Sequence, residues 1–406
     1  MKMATETHLS KLEAILSEPI ASANDREAHT FERRLAECRG RVVLFGVGTL
    51  GKTTLQCLRS IGVEPLAFSD SNPERWDDIV EGVRVLSPKD AVDKYGDSAL
   101  FIVTIWSKGH RYVETKGKLT NLGCRKVVPS SSLRWKFAEI LMPYFCQDLP
   151  HRVLQDSERV LSAVSLWSDD ESREEYLRQV ARRVSGDFEV LSEPHREESY
   201  FPSTLFDLKR DEFFVDCGSY AGDTLQQFLL RTGNKFTRIV AVEPDPGNFS
   251  NLRRWTDGLD SQVRNRIQLN GVAVGAKRGQ VRFAANGREG SSVRNDCDIV
   301  VECCALDDLV AGSHPTYIKM DIQGAEPDAL AGAQRTIRQH HPVLAICVYH
   351  TQYYLRSIPL LVHDLAPDYR LFLRPHDADG WDSACYAIPE KRSTMEERST
   401  MEESNR

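Results

Sequence analysis

Short, wholly apolar runs alternate with longer amphipathic stretches along this chain, and the two periods predict its elements. Residues 8–40 read as two polar helices with apolar stripes. RVVLFG then reads as a short buried strand running into a glycine loop. A helix follows through about Ile61, then the strands VEPLAFSD and ALFIVTIW. That β-loop-α-β order predicts a parallel, doubly wound half-sheet. Residues 136–200 are richer in helix formers, as in DSERVLSAVSLWSDDESREEYLRQVARRV, and read as a helical connector. A second alternation follows in EFFVDC, RIVAVE, RIQLNGVAV, YIKMD, VLAICVY, RLFLRP and CYAIP. These runs, separated by helical patterns, predict a second, mostly parallel sheet. The expected organisation is α/β with two Rossmann-like domains: a module over 1–135, a connector over 136–200, a second domain over 201–390 and a tail over 391–406. In the tail RSTMEE occurs twice, at 392–397 and 398–403, and so charged a repeat cannot bury a core.

Composition narrows function more than fold. A net charge of −7 on 406 residues supplies no basic footprint, so nucleic acid is not an expected partner. The start MKMATETHLSKLEA has no long apolar core and carries Glu6 and Glu13, against a secretory signal. No apolar run approaches bilayer-spanning length, so no membrane partner is expected. Ten cysteines are scattered without a CxxC pair, and Cys303 and Cys304 alternate across one strand as core positions. Reduced thiols and a cytoplasmic location follow as expectations.

GVGTLGKTT, Gly46 to Thr54, satisfies two patterns at once. Gly46, Gly48 and Gly51 spell the dinucleotide turn G-x-G-x-x-G; Gly46, Gly51, Lys52 and Thr53 also spell the triphosphate loop G-x-x-x-x-G-K-T. A triphosphatase also needs an acid ending a buried strand to hold its metal, and ALFIVTIW ends without one. Asp70, 19 residues past Gly51, instead suits a ribose hydroxyl, so the dinucleotide-like reading is preferred. Tyr112 and Lys116 form Y-x-x-x-K, which reads as an exposed helix face rather than a proton-donating pair. FSDSNP at 68–73 and GVRVLSP at 82–88 make this half resemble small Rossmann-like modules attached to sugar-modifying enzymes.

FVDCGSYAGDT, Phe214 to Thr224, is more informative. A buried strand ends in Asp216 and turns through Gly218 and Gly222, where small residues let the main chain approach a ligand. The next strand ends in Glu243, whose carboxylate suits a ribose diol. The turn lacks a phosphate-binding Lys or Arg, and Asp216 and Asp223 would repel a pyrophosphate. A ligand with a ribose, no phosphate and a positive centre fits better, as S-adenosylmethionine does.

Residues from about 140 to 390 resemble the FkbM-type S-adenosylmethionine-dependent methyltransferases. The motifs are SYFP at 199–202, FVDCGSYAGDT at 214–224, VAVEPDPGNFSNL at 240–252, ALDDL at 305–309, YIKMDIQGAEPDALAGA at 317–333, LAICVYH at 344–350 and YRLFLRPH at 369–376. The resemblance implies a class I methyltransferase sheet and O-methyltransferase activity on a small-molecule acceptor such as a saccharide. By position it implies that Asp216, Gly218, Tyr220, Gly222, Asp223 and Thr224 line the methionine end of the cofactor. It further implies that Glu243 holds the ribose, that Pro244, Asp245 and Asn248 border the adenosine, and that Val272 and Ala273 contact the adenine region.

The residues themselves add catalytic candidates. In YIKMD, alternation puts Tyr317, Lys319 and Asp321 on one face. A lysine in a buried strand wants a carboxylate partner. Asp321 ends the strand, where open α/β sheets place their ligand crevice. Glu326 opens a helix, as a site carboxylate or as an acid satisfying the helix dipole. His350 closes LAICVYH, and it and Asp321 are the candidate bases for a hydroxyl proton. The family's D-x-E-G-x-E reads Asp321, Gln323, Gly324 and Glu326 here, and an amide is a poor ligand for a hard cation, so no metal is the expectation. Two other functions fit less: an NAD(P)-dependent oxidoreductase working from the first module, and a non-catalytic binding module. Arg282, Arg288 and Arg294 read as solvated surface arginines.

Overall fold

The computed structural model describes residues 2–285, 292–293 and 299–392. Apart from Arg392, the RSTMEE repeats lie outside the described residues, as do Arg288 and Arg294. The chain divides into two compact units. One comprises Met1–Leu161, Glu174–Pro194 and Asp377–Trp381; the other comprises Ser162–Arg173, His195–His376 and Asp382–Arg406. The stretch expected as a connector is thus shared between them. No helix among the described residues is long and apolar enough to cross a membrane.

In the first unit six strands form one sheet: β1 (Val42–Phe45), β2 (Ala67–Ser69), β3 (Ile79–Val80), β4 (Val83–Leu86), β5 (Leu100–Val103) and β6 (Val127–Pro129). Their order is β3-β4-β2-β1-β5-β6, parallel except for the edge pair β3–β4. All four residues of β1 are buried, as a central strand covered on both faces requires. The helix Thr49–Ser60 starts directly after Gly48, so Gly51, Lys52 and Thr53 are already helical. A triphosphate cradle needs the residues between Gly46 and Gly51 as an open loop, whereas Thr49 and Leu50 are already helical here, and Thr53 spends its hydroxyl on the Thr49 carbonyl at 3.0 Å. Gly51 serves packing: a Cβ there would stand 2.1 Å from the Gly46 carbonyl oxygen. Asp70, expected at a ribose, accepts from the backbone N–H of Val47 (3.1 Å) and of Asn72 (2.9 Å), clamping the glycine turn. Tyr112 is not on an exposed face. It is buried, its hydroxyl donates to the Val127 carbonyl at 3.3 Å, and burial pushes its phenol well above the ordinary value; Lys116 pairs with Glu189.

The second unit carries β7 (Phe213–Cys217), β8 (Arg238–Val242), β9 (Ile267–Asn270), β10 (Ala273–Val274), β11 (Gly279–Ala284), β12 (Ser292–Val293), β13 (Ile299–Cys304), β14 (Tyr317–Met320), β15 (Val343–Cys347), β16 (Tyr369–Pro375) and β17 (Ser383–Pro389). Seven of them form the main sheet in the order β16-β17-β15-β14-β7-β8-β9. β9, β8, β7, β14 and β15 are parallel neighbours, and β17 lies antiparallel between β15 and β16. RIQLNGVAV, expected as one strand, breaks at Gly271. β9 closes the main sheet, and β10 joins β13, β11 and β12 in a smaller one. Phe214 of β7 stacks between Phe228 (4.7 Å) and Tyr317 (4.9 Å), tying the central strands to the helix Asp223–Thr232. Each of β7, β8, β14 and β15 leads into a helix, so their carboxyl ends and those helices' N-termini share one edge.

Candidate active site

Asp216 and Lys319 occupy paired positions on β7 and β14, both essentially fully buried. Lys319 Nζ donates to Asp216 Oδ1 at 2.9 Å and to the Gly218 carbonyl at 2.8 Å. The buried lysine thus has the carboxylate it requires. Burial alone would lower its pKa, but Asp216, Asp321 and Asp223 outweigh that and hold the ammonium protonated. Burial pushes the Asp216 carboxyl above its ordinary value, with Lys319 working against it. Asp216 Oδ2 is buried without a hydrogen-bond partner among the described residues. Leaving such an oxygen unmet costs about 1–3 kcal/mol or more.

The turn after β7 is shaped for close approach. Gly218 has φ +84°, and a Cβ there would fall 1.9 Å from the Asp321 carbonyl oxygen. A Cβ on Gly222 (φ +98°) would fall 2.7 Å from the Trp255 ring. Ser219, not anticipated, locks the turn by donating to the Asp216 carbonyl at 2.9 Å and accepting from Val242 N at 3.2 Å. Tyr220 is half-buried with φ +47°, Thr224 is buried, and Asp223 is exposed at the first position of the following helix.

Glu243, one residue past β8, reaches back to the same turn. Its Oε2 accepts from Tyr220 N and its Oε1 from Asp245 N, both at 2.9 Å, and burial pushes it up to about 7. Asp245 caps the helix Pro246–Asp257, accepting from Gly247 N and Asn248 N. Asn248 is buried behind that cap and Pro244 half-buried before it. Glu243 N donates to the Asn270 carbonyl at 3.0 Å, which brings Val272 and Ala273 within a few residues of the same edge. The cofactor candidates of β7 and β8 therefore converge; Ala273 itself begins β10 in the smaller sheet.

The catalytic candidates form a second cluster. Glu326 is fully buried; its Oε1 accepts from Ile322 N (2.9 Å) and His350 Nδ1 (2.7 Å), and its Oε2 from Gly324 N (3.0 Å). It therefore does more than satisfy a helix dipole: it fixes the loop carrying Gln323 (φ +55°) and Gly324 (φ +104°). His350 Nε2 lies 3.2 Å from Asp321 Oδ1. Burial alone would lower the imidazole, but Glu326 and Asp321 outweigh it and push it up to about 10. His350 is thus not a base poised near neutrality. It is a buried imidazolium between two carboxylates and has no free site for another proton. Burial would raise Asp321, but His350, Lys319 and the Tyr200 hydroxyl more than reverse this and hold it well below the ordinary carboxylate range. Asp321 is a fifth exposed, which leaves it the carboxylate that can face a second reactant. Among the described residues no group of three or more His, Cys, Asp or Glu is spaced to hold a metal ion.

Tyr200 escaped the residue-by-residue reading. Its hydroxyl donates to Asp321 Oδ2 at 2.9 Å, and its ring lies 5.0 Å from Lys319 Nζ. The signal was present in SYFP, but no period places a loop tyrosine against a strand 120 residues on.

A parallel sheet with one antiparallel strand and an acidic, glycine-lined edge defines the class I methyltransferase architecture. Residues 216–378 match the family model described as methyltransferase FkbM domain. Over 203 residues the chain is 26% identical to the 2-O-methyltransferase NoeI of Sinorhizobium fredii, covering 42% of this chain and 78% of that protein. The crystal structure of methyltransferase FkbM from Methylobacillus flagellatus KT shares the fold, with a TM-score of 0.72 at 24% identity over 95% of this chain and 99% of that one.

Proposed function

We propose that the protein is an S-adenosylmethionine-dependent O-methyltransferase whose acceptor is a hydroxyl of a sugar or similar polyol. The observation carrying this reading is the buried, unpartnered Asp216 Oδ2 beside a turn whose glycines leave no room for side chains. An α-ammonium group satisfies that oxygen, and the main chain of Gly218 and Gly222 can lie against the ligand. Glu243 accepts from the ribose hydroxyls and Asp245 and Asn248 border the base. The bound cofactor supplies a sulfonium methyl group. Similarity to a protein named as a 2-O-methyltransferase supports oxygen as the accepting atom.

Each of the chain's own groups then has a task. The Asp321 carboxylate would receive the acceptor's proton as the C–O bond forms and the C–S bond breaks. So weak a base suits a step in which the proton leaves late, most of the acceleration coming from holding hydroxyl and methyl in line. His350, already charged, keeps Asp321 ionised. Glu326 orients His350, and Lys319 keeps Asp216 in place.

Two expected outcomes arise here. Purified protein given methyl-tritiated S-adenosylmethionine and a panel of saccharides is expected to label at least one of them in a product stable to mild base, as an ether is. Label released by mild base, or found on a nitrogen, would sink the O-methyl reading. The second concerns pH. Glu243 sits above its unfolded value of 4.5, so its stabilising protonation is complete below that value and lost as pH rises through about 7. Ribose binding needs the ionised form, which grows from about one tenth at pH 6 to about nine tenths at pH 8. Affinity for S-adenosylhomocysteine is therefore expected to rise about tenfold over that range, and Glu243→Gln to flatten the slope. Calorimetry at the two pH values checks it, and an unsloped wild type would contradict it.

A further inference from the structure

Tyr200 lies outside the main sheet, just past the turn Arg196–Glu198, yet it meets all three alternate residues on one face of the YIKMD stretch. The Tyr317 hydroxyl donates to its carbonyl, Lys319 Nζ lies over its ring at 5.0 Å, and its own hydroxyl donates to Asp321 Oδ2 at 2.9 Å. The Cys347 thiol stands 3.4 Å from that hydroxyl. The Tyr200 N–H donates to the Tyr386 hydroxyl at 3.0 Å, which in turn meets His376 Nε2 at 2.5 Å. Burial pushes His376 down to about 4, so its ring is neutral. Its Nδ1–H donates to the His195 carbonyl at 3.1 Å and its Nε2 accepts from Tyr386. Tyr200 has φ +64°, a left-handed conformation uncommon for a bulky residue. Such strain persists where the surroundings over-determine it, and it concentrates at functional sites. Every anchor here fixes one thing, the direction of the phenol.

We infer that Tyr200 is a positioning residue of the methyl-transfer site, an inference that rests on the reading above. By occupying Asp321 Oδ2 it fixes the plane of a carboxylate whose Oδ1 is buried 3.2 Å from His350 Nε2, and so sets the face that Asp321 turns to the acceptor hydroxyl. Its ring covers the ammonium of Lys319, which stays turned to Asp216. The acceptor hydroxyl is thereby met by a carboxylate of fixed orientation.

The test is Tyr200→Phe, which keeps the ring and loses only the hydroxyl. It is assayed with methyl-tritiated S-adenosylmethionine and whichever saccharide of the panel is labelled most by wild type. The result expected is a fall in kcat of about 10–100-fold, the equivalent of one hydrogen bond to a charged group. The dissociation constant for S-adenosylhomocysteine should stay within about twofold and Tm within about 2 °C. An unchanged kcat overturns the inference, as does a loss of homocysteine-product affinity in step with kcat, which would make Tyr200 part of the cofactor pocket. If Tyr200→Phe melts below the assay temperature, Tyr386→Phe carries the test: a kcat lowered about threefold or more sustains the inference, and an unchanged one overturns it. A wild type that binds no S-adenosylhomocysteine, or labels no saccharide, overturns the functional reading and this inference together, before any variant is made.

Discussion

Asp216→Asn is expected to weaken S-adenosylhomocysteine binding at least about 100-fold, because an amide offers an ammonium group no charge and half the acceptors. The same change strips buried Lys319 of its counter-ion. Removing one partner of a buried pair costs about 3–5 kcal/mol; the amide oxygen that remains keeps one hydrogen bond, so about 3 kcal/mol is expected. For a domain of this size that lowers Tm by about 6–12 °C. Calorimetric titration and a thermal melt measure the two effects separately. Loss of stability with binding intact would leave Asp216 a purely structural partner of Lys319 and remove it from the cofactor site.

Glu326→Gln should act on catalysis and spare the cofactor. Both Glu326 oxygens are already engaged, by Ile322 N, Gly324 N and His350 Nδ1, and an amide nitrogen can accept from none of them. One loop contact or the imidazolium contact must therefore be lost. With half its carboxylate cradle gone, His350 falls from about 10 toward its ordinary value. We expect kcat to fall about 10²–10³-fold and affinity for S-adenosylhomocysteine to change less than about threefold. The direction of the pH response follows from the shift. A raised histidine stabilises the fold fully below about 6.5, and that stability is lost as pH climbs toward 10. Wild-type activity should then hold through neutral pH and decline near 10, while the Glu326→Gln residual should decline already between about 7 and 8. A variant with wild-type kcat and an unmoved profile would remove His350 from the mechanism.

The central strands of the two larger sheets were legible because central parallel strands are apolar on both faces: VVLF, FFVDC, RIVAV and VLAIC need no context to be read, whereas the edge strands β3, β4 and β6 were not read. Of the paired strands β11 and β13 only the end at Cys303 and Cys304 was read, since half-solvated strands lack a continuous apolar run. For the same reason the break at Gly271 was hidden inside RIQLNGVAV. In the site, chain position alone put Asp216, Glu243, Asp321 and His350 at strand ends. Alternation alone put Tyr317, Lys319 and Asp321 on one face, and all three do meet Tyr200. The protonation of His350 was not legible, because a histidine's charge is set by what surrounds it in space, here carboxylates 24 and 29 residues away in sequence. Tyr200 was invisible for a related reason: its contacts come from strands that follow it by more than a hundred residues. The two patterns in GVGTLGKTT could be separated in the sequence only by a missing acid, whereas the start of the helix at Thr49 separates them by geometry.

The central claim, that methyl chemistry belongs to the edge formed by Asp216 and Glu243, is tested most directly by titrating the wild-type chain with S-adenosylhomocysteine and, separately, with NAD. Gly48→Ala serves as the control, since a Cβ there meets open space and leaves the fold intact while blocking a pyrophosphate. One molecule of S-adenosylhomocysteine bound per chain, unaffected by Gly48→Ala, is the result this account predicts. NAD bound in its place, and lost in Gly48→Ala, would contradict it and move the active site to the glycine turn of the first unit.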